Sequence, residues 1–357
     1  MNFCIHCIKD IQIKSMMKNK TIGDCDLCNR KNVSIYDTEK DTYLIDPFEE
    51  FLDIYTCKEF LPNGFLPKNT SRLSDEIFNK WNIFNIEKER IDDVIISICK
   101  EKYRENKKIF EELVGISELY DKEYLENNSL LKNFEWEDFS NAIKKENRFH
   151  TNHINTNVLK KFLKFVEKTY PSGKIFLRAR ISTNENGFNK DDMGSPPPEK
   201  ASAGRVNPLG ISYLYLSDNL YTTFYEVRAN VYDFVTVGEF ALNRNINIID
   251  LSQLDKISPF SGINCTEYAI NLKHLKKISA EIARPLRKQD SQLDYLPTQY
   301  IAEFIKNNGY DGIEYKSTLG KEHTHNIVIF DKSICTCVDT KVYEINLNYN
   351  EKELSIG

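Results

Sequence analysis

Three residues with complementary chemistry follow one another at short spacing in the middle of the chain. Arg205 lies in a turn bounded by Gly204 and Gly210. Tyr215 comes ten residues after Arg205, and Glu226 comes eleven residues after Tyr215. A guanidinium, a phenol and a carboxylate at the ends of consecutive elements suit an anionic, ring-containing ligand whose reacting atom becomes positively charged.

The elements that position these residues can be predicted from local patterns. Residues 211–217 alternate as a half-buried strand does, after which Ser217, Asp218 or Asn219 can cap a helix. Leu220, Thr223, Phe224 and Val227 form the apolar stripe of that helix. At about 100° per residue, Glu226 lies roughly 110° from the centre of the stripe, at the border between core and surface.

The segments on either side of this region also have clear local signals. Three successive prolines at positions 196–198 exclude a helix, so the residues before Arg205 form a loop. Pro297 can occupy the first turn of a later helix, and Gly309 can end it. A strand ending near Ser317 and a buried strand over residues 326–330 follow.

Each of these residues alone has an ordinary structural explanation, and only their combination and order are informative. That combination resembles the RES domain, a family of bacterial toxins named for its Arg, Glu and Ser. The family loop Gly-Arg-x-Asn-Pro-x-Gly-x-x-x-Leu-Tyr is similar to residues 204–215. The family Arg, Tyr, Glu and Ser match Arg205, Tyr215, Glu226 and Ser317, and an early family Arg matches Arg178. The resemblance covers roughly residues 166–340.

The resemblance implies an ADP-ribosyltransferase-like α+β fold that degrades NAD. Nicotinamide is released, ADP-ribose passes to water or phosphate, and a cognate antitoxin restrains the reaction. The implied catalytic residues are Glu226, Arg205, Tyr215 and Ser317. The implied substrate-binding residues are Arg178, Arg205, Asn207, Tyr215, Ser317 and Asn326. A carboxylate would stabilise an oxocarbenium-like state, and arginines would hold the diphosphate as bidentate donors.

Two other functions remain open at this point. A protein ADP-ribosyltransferase would use the same pocket and break the same glycosidic bond, with a protein as acceptor. A nucleic-acid-binding or partner-binding protein would be built on the N-terminal cysteines, with the C-terminal half only binding nucleotide. The joint presence of Arg205, Tyr215, Glu226 and Ser317 argues against a degenerate pocket.

Four of the nine cysteines have the spacing of a metal site. The pairs Cys4-x2-Cys7 and Cys25-x2-Cys28 are separated by seventeen residues, as in two knuckles that supply four thiolates to one tetrahedral zinc. A closed four-thiolate site leaves no position open for catalysis, so we expect a structural zinc that folds a small lobe. The alternative is four unrelated free thiols.

At 357 residues the chain is long enough for two or three domains. We predict a multidomain protein with a zinc-knuckle lobe at 1–40 and a mostly α-helical module at 41–165. A catalytic RES domain at 166–340 and a C-terminal tail at 341–357 complete the division. Runs of apolar residues at helical spacing over 87–113 and 158–170 support the helical module.

The front half resembles the zinc-knuckle helical module that is fused to some RES domains and grouped with the HEPN superfamily. Ribonucleases of that superfamily use an Arg followed four to six residues later by a His, a spacing that Arg148 and His153 match. Phe149 stands where a polar residue is usual, and the neighbourhood has the composition of a helix break. Ribonuclease activity is therefore not carried over.

The charge of the whole chain limits the partners that it can bind. A net charge of -5 with 28% charged residues gives no general basic field, which disfavours nucleic acid. Because the sequence has no apolar run near 18 residues and no N-terminal apolar segment, we expect a cytoplasmic protein without a membrane partner. Reduced cysteines fit that compartment. Whether the chain forms a homo-oligomer is left open.

Overall fold

The computed structural model of the chain describes residues 1–65, 67–284, 291–319 and 324–346. The chain divides into two compact units, of which the first contains Met1–Asn133 and Lys256–Lys273. The second contains Phe134–Asp255 and His274–Gly357. The division at residues 40, 165 and 340 stays a prediction, and most of the tail predicted at 341–357 lies outside the described residues.

The first unit combines short helices with two small antiparallel sheets. Its strands are β1 (Asn2–Cys4), β2 (Thr21–Gly23), β3 (Val33–Asp37), β4 (Thr56–Cys57), β5 (Ser71–Arg72) and β6 (Leu113–Gly115). Within the described residues these strands pair in the orders β1-β3-β2 and β4-β6-β5. Its helices are α1 (Ile11–Met17), α2 (Ile45–Leu52), α3 (Leu73–Glu76), α4 (Ile91–Ile98), α5 (Lys100–Glu105), α6 (Lys108–Glu111) and α7 (Lys122–Asn128).

Residues 87–113, where apolar residues recur at helical spacing, form three short helices and the start of a strand instead of one continuous helix. Cys99 has a non-helical backbone with φ -103° and ψ 52°, which ends α4. Asn106, with φ -143° and ψ 78°, ends α5 in the same way. The residues that follow α6 pair as strand β6 with β4 and β5. Tertiary pairing therefore overrides the helical periodicity of this run.

The second unit is built around one large mixed sheet. Its strands are β7 (Glu167–Tyr170), β8 (Ile175–Ser182), β9 (Leu214–Ser217), β10 (Phe234–Leu242), β11 (Ile246–Asp250), β12 (Gly312–Lys316), β13 (His325–Ile329) and β14 (Cys335–Glu344). Among the described residues their order is β14-β10-β8-β9-β13-β12-β11-β7. The β11–β12 pair is parallel, whereas the other neighbours are antiparallel.

Helices complete the second unit and agree with the α+β class predicted for the C-terminal half. They are α8 (Trp136–Lys145), α9 (Thr156–Lys164), α10 (Leu220–Glu226) and α12 (Leu296–Asn307). Between α10 and α12, α11 (Cys265–Ala283) belongs to the first unit up to Lys273 and to the second unit from His274. The helical run predicted over 158–170 ends early, because Glu167–Tyr170 pairs with β11 as strand β7.

The two faces of the large sheet have different neighbours. One face carries a buried apolar cluster with Phe176 of β8, Leu214 of β9 and Phe240 of β10 at its centre. Ala179, Val235 and Val237 lie on the other face, where Leu220, Phe224 and Val227 pack against them from α10 and the residue that follows it. The apolar stripe predicted for the helix is therefore the surface by which α10 joins the sheet.

Arg148 and His153 lie after the end of α8, in a segment without regular secondary structure. The Nδ1 atom of His153 is 3.1 Å from Oγ1 of Thr151, and its ring lies 4.1 Å from that of Phe134. The helix break predicted for this neighbourhood is thus present. No helix in the described part of the chain has the length and apolar character that crossing a membrane requires.

Close packing between β12 and β13 gives a test of the fold. Gly312 is buried, and a Cβ atom at this position would collide with the carbonyl oxygen of Val328 on the neighbouring strand. We expect Gly312→Ala to destabilise the protein by about 1–3 kcal/mol through overpacking, seen as a lower melting temperature. Gly194→Ala is the matched control, because a Cβ there meets nothing within 4 Å. Equal melting temperatures for the two variants would contradict the β12–β13 register.

Candidate active site

The loop that carries Arg205 is held by its own asparagine. Asn207 is buried, and its Nδ2 donates to the carbonyl oxygens of Ser202 at 2.9 Å, Pro208 at 3.2 Å and Ile211 at 2.9 Å. Its Oδ1 accepts a 2.6 Å hydrogen bond from the hydroxyl of Tyr215. Asn207 is predicted to bind substrate, but in the structure its side-chain amide is hydrogen-bonded to the loop and to the phenol of Tyr215.

A close approach explains the glycine before Arg205. A Cβ atom at Gly204 would lie 2.6 Å from Oδ1 of Asn207 and 2.7 Å from the hydroxyl of Tyr215. Those distances are shorter than any real Cβ contact, so a larger residue would break the Asn207–Tyr215 hydrogen bond. The glycine of the motif is required by packing around the phenol rather than by an unusual backbone angle.

Helix α10 places Glu226 in its last turn. Asn219 is the N-cap, since its side chain accepts from the backbone N–H of Thr222 at 3.1 Å, as one of the predicted capping residues. Glu226 is the final residue of the helix, and its side chain is 25% exposed. That intermediate exposure matches the border position predicted from the helical period.

The carboxylate of Glu226 is the point at which the predicted residues meet. Its Oε2 is 3.2 Å from Nη2 of Arg205. Its Oε1 accepts from Oγ of Ser317 at 3.2 Å and from Nδ2 of Asn326 at 2.5 Å. The structure thus brings together four residues from the loop, α10 and the ends of β12 and β13.

Strand register explains why Ser317 and Asn326 point to the same side. Asn326 of β13 is paired with Tyr315 of β12, so their side chains share one face of the sheet. Ser317 lies two residues beyond Tyr315 and therefore returns to that face. Both Ser317 and Asn326 are buried, so their polar groups are fixed beside the carboxylate.

A cleft of about 220 Å³ opens beside this cluster. It lies where β8 and β9 pair at the single position Leu177–Ser217 among the described residues, which leaves a gap between the two strands. Its lining consists of Leu177, Arg178, Ala179, Tyr215, Leu216, Ser217, Thr223, Glu226, Val227, Tyr315 and Asn326. Most of the predicted site residues therefore line one cavity of mixed polar and apolar character.

Arg178 supplies a cation to this cleft and forms no ion pair with a carboxylate in the part of the chain that the structure describes. Its Nη1 donates to the backbone oxygen of Tyr215 at 3.1 Å, while its buried Nε has no hydrogen-bond partner in the described residues. Burial, and then the neighbouring charge of Arg180, lowers the pKa of Arg178 to about 10, which still leaves it charged at neutral pH. A buried, incompletely bonded guanidinium is unfavourable unless an anion completes it.

Arg205 has a different environment from Arg178. Its Nη1 donates to the backbone oxygens of Ala283 at 3.0 Å and Ile282 at 3.4 Å, its Nη2 contacts Glu226, and its side chain is 10% exposed. Burial lowers the pKa of Arg205, but the neighbouring Tyr315 and Glu226 outweigh burial and leave it above the ordinary value. Arg205 is also absent from the residues that line the cleft.

The two tyrosines of the cleft are neutral phenols. Burial raises the pKa of Tyr215 well above its ordinary value, and burial likewise raises that of Tyr315 to about 12. The guanidinium of Arg205 lies 5.3 Å from the centroid of the Tyr315 ring, a distance at which a cation and an aromatic face attract each other. Both tyrosines therefore present a ring to the cleft and cannot serve as bases at neutral pH.

Sequence reasoning missed three residues of this region. Tyr315 lines the cleft, and the first turn of α12 holds the Arg205 loop by means of Thr298 and Gln299. The position of Pro297 in the first turn of α12 was predictable, because proline favours the first turn of a helix. Its contacts with a loop some ninety residues earlier carry no local sequence signal.

The four predicted zinc ligands form one cluster in the first unit. The Sγ atom of Cys4 is 3.8 Å from that of Cys7 and 3.4 Å from that of Cys28. The Sγ atoms of Cys7 and Cys25 are 3.7 Å apart, and all four lie within 4.8 Å of one another. Four sulfurs at about 2.3 Å from a tetrahedral zinc would be about 3.8 Å apart. The geometry and the soft donors fit zinc.

Comparison with known proteins bears on the second unit. The family model described as the RES domain matches residues 178–349. No curated protein matches the chain at a significant level. The crystal structure of the M. tuberculosis MbcT–MbcA toxin–antitoxin complex matches with 12% identity and a TM-score of 0.32. That match covers 52% of this chain and 91% of that chain.

The segment matched by the family model contains all the residues that line the cleft except Leu177. Arg178, Arg205, Glu226 and Ser317 follow one another in it, and the structure gathers their side chains around one cavity or its immediate wall. Residues 178–349 of the chain are a RES domain.

Proposed function

We propose that the chain is a RES-type toxin that cleaves the glycosidic bond between nicotinamide and ribose in NAD. ADP-ribose passes to water or phosphate, and the consequence for the cell is depletion of NAD. The observation that carries this proposal is the joint presence, in one cleft, of a fixed carboxylate on Glu226 and an anion-seeking guanidinium on Arg178.

The carboxylate is suited to a reaction in which positive charge develops on carbon. When the C1–N bond of the nicotinamide riboside breaks, the electron pair leaves with the ring nitrogen and the ribose becomes oxocarbenium-like. Glu226 is already oriented by donors on both oxygens, so it need not reorganise as that charge appears. Attack of water or phosphate at C1 then forms the new C–O bond and, with water, releases a proton.

Substrate binding is assigned to the groups whose bonding is incomplete. Arg178 would hold an oxygen of the diphosphate through charge and a forked hydrogen-bond geometry. Tyr215 and Tyr315 would pack their rings against nicotinamide or its ribose, and the amide of Asn326 would remain on Glu226. Ser317 would supply a fixed hydroxyl near the reacting carbon.

The N-terminal cysteines are proposed to hold a structural zinc that stabilises the first unit. When bound, zinc would supply four strong bonds that join the segment of Cys4 and Cys7 to the segment of Cys25 and Cys28. Cys4, Cys7 and Cys25 are buried, and the cluster packs against Ile35 of β3. No step of NAD cleavage passes through this site.

A cytoplasmic location and a restraining antitoxin belong to the same proposal. Depletion of NAD harms the cell that makes the enzyme, so the active protein must be held in check by a partner or by a signal. Incubating the purified protein with NAD, with and without phosphate, and identifying the products tests the activity. ADP-ribose, its phosphate adduct or a modified protein would identify the acceptor, and unchanged NAD would refute the proposal.

Removing the charge of Glu226 should separate binding from chemistry. Glu226→Gln keeps the shape and hydrogen-bonding capacity of the side chain but loses the charge that stabilises the ribose carbon. We expect nicotinamide release to slow by at least about 100-fold while NAD affinity stays similar. Toxicity on expression should disappear as well.

Glu239→Gln is the matched control for Glu226→Gln. Glu239 also lies in the second unit, is 28% exposed and pairs with Lys341 at 2.9 Å, but it is not part of the cleft lining. Its replacement should leave nicotinamide release near the parental rate. If Glu226→Gln releases nicotinamide as fast as Glu239→Gln, Glu226 has no part in the mechanism.

Arg178→Gln should weaken NAD binding without weakening the fold. A charge-assisted hydrogen bond is worth roughly 1.5–3 kcal/mol, so KM should rise at least about tenfold. The melting temperature of the free protein should stay the same or rise, because an incompletely bonded buried cation is removed. Arg180→Lys, on the same strand, is the control, since its contacts with Asp192 and Phe188 lie outside the cleft. A lower melting temperature with unchanged KM would make Arg178 a structural residue.

Zinc should be bound at about one ion per chain and should matter for stability rather than rate. Cys25→Ser should lose the metal and lower the melting temperature, and a chelator should do the same to the parental protein. Cys57→Ser, which alters a buried thiol outside the cluster, should keep its zinc. Metal analysis and thermal denaturation measure both effects. A metal-free parental protein with a chelator-independent melting temperature would exclude the site.

A further inference from the structure

The donors of Arg205 are occupied by the protein itself. Nη1 donates to two backbone oxygens, Nη2 donates to Glu226, and the guanidinium carbon lies over the ring of Tyr315, 5.3 Å from its centroid. The side chain is 10% exposed and does not line the cleft. A diphosphate could reach this guanidinium only by displacing contacts that are already formed.

The backbone oxygens that hold Arg205 belong to the end of a long helix. Ile282 and Ala283 are the last two residues of α11, where carbonyl groups lack partners within the helix. The C-terminal end of a helix carries partial negative charge and attracts a cation. Nη1 of Arg205 therefore bonds the carbonyl groups at this helix end, while Nη2 contacts Glu226.

The backbone of Arg205 is fixed as firmly as its side chain. Oγ1 of Thr298 donates to the carbonyl oxygen of Arg205 at 2.7 Å. Nε2 of Gln299 donates to the carbonyl oxygens of Gly204 at 2.8 Å and Asn207 at 3.0 Å. Thr298 and Gln299 are both 4% exposed, so these bonds are shielded from water. The first turn of α12 thus holds the loop that carries Arg205 by hydrogen bonds to its backbone.

We infer that Arg205 is a positioning residue that acts on the reaction through Glu226, and that it does not bind the substrate. It fixes Oε2 of Glu226 while Ser317 and Asn326 fix Oε1, which locks the orientation of the carboxylate. Thr298 and Gln299 of α12 belong to the same arrangement. The inference rests on the proposed NAD cleavage and differs from the diphosphate-binding role that the sequence resemblance implies for Arg205.

A double-mutant cycle between Arg205 and Glu226 tests this inference. Arg205→Lys keeps the charge but cannot bond the helix end and Glu226 together, so kcat should fall at least about tenfold while KM changes less than about threefold. Once Glu226 is Gln, the further change Arg205→Lys should alter nicotinamide release by less than about threefold, because the two residues act as one unit. Additive losses in the double variant would overturn the inference.

Binding is measured where turnover is slow. Calorimetric titration with NAD should give a similar Kd for the Glu226→Gln protein and for the same protein that also carries Arg205→Lys. The matched comparison is Arg178→Lys in the Glu226→Gln protein, which should raise the Kd for NAD because Arg178 lines the cleft. A Kd weakened at least about tenfold by Arg205→Lys would make Arg205 a substrate ligand and refute the positioning role.

Two further readouts keep the inference testable if Arg205 variants are insoluble. Thr298→Val removes the hydrogen bond to the Arg205 carbonyl without touching the cleft, so it should lower kcat severalfold and leave KM unchanged. A raised KM with parental kcat would overturn the inference. Arg244→Lys, which alters a surface pair with Asp311, is the control for general loss of an arginine. A parental protein that neither binds NAD nor releases nicotinamide would instead refute the proposed function itself.

Discussion

The cleft of the second unit depends on holding one partly buried carboxylate, that of Glu226, in a fixed orientation. Removing a carboxylate from water is unfavourable unless donors replace the lost hydration. Glu226 receives three such donors, from Arg205, Ser317 and Asn326, which come from a loop and from two different strand ends. The loop, the end of β12 and the start of β13 must therefore be in place together before the carboxylate is satisfied.

Charge is distributed unequally between the two arginines near the cleft. Arg205 is compensated by Glu226 and by a helix end, whereas Arg178 bonds a backbone oxygen of Tyr215 and pairs with no carboxylate among the described residues. The Arg205–Glu226 pair attracts an incoming anion only weakly, because the two opposite charges neutralise each other. The uncompensated guanidinium retains that attraction. A ligand with a negative group at one end and a developing positive centre at the other matches this division.

Local sequence signals were sufficient for single elements but not for the contacts between them. Short-range rules predict a cap for α10 within residues 217–219, the border position of Glu226 and a proline, Pro297, in the first turn of α12, and the structure has all three. The end of α4 at Cys99 did not follow, because the apolar period continues through a residue whose backbone turns away. The contact of Arg205 with the end of α11 could not be predicted either, since any helix end offers the same carbonyl groups.

The face of the sheet opposite the cleft explains how Tyr315 and Asn326 are held in register. Alternation along β12 turns Glu314 away from Tyr315, into a buried position where Lys168 contacts both of its oxygens at 2.9 Å. The hydroxyl of Tyr170 donates to the same carboxylate at 2.8 Å. Strand β7 is thereby joined to β12 across the intervening β11, and a shift of β12 by one residue would bury Tyr315 among these charges. The Lys168–Glu314 ion pair on the opposite face of the sheet thus opposes a one-residue shift of β12, which would move Tyr315 out of the cleft.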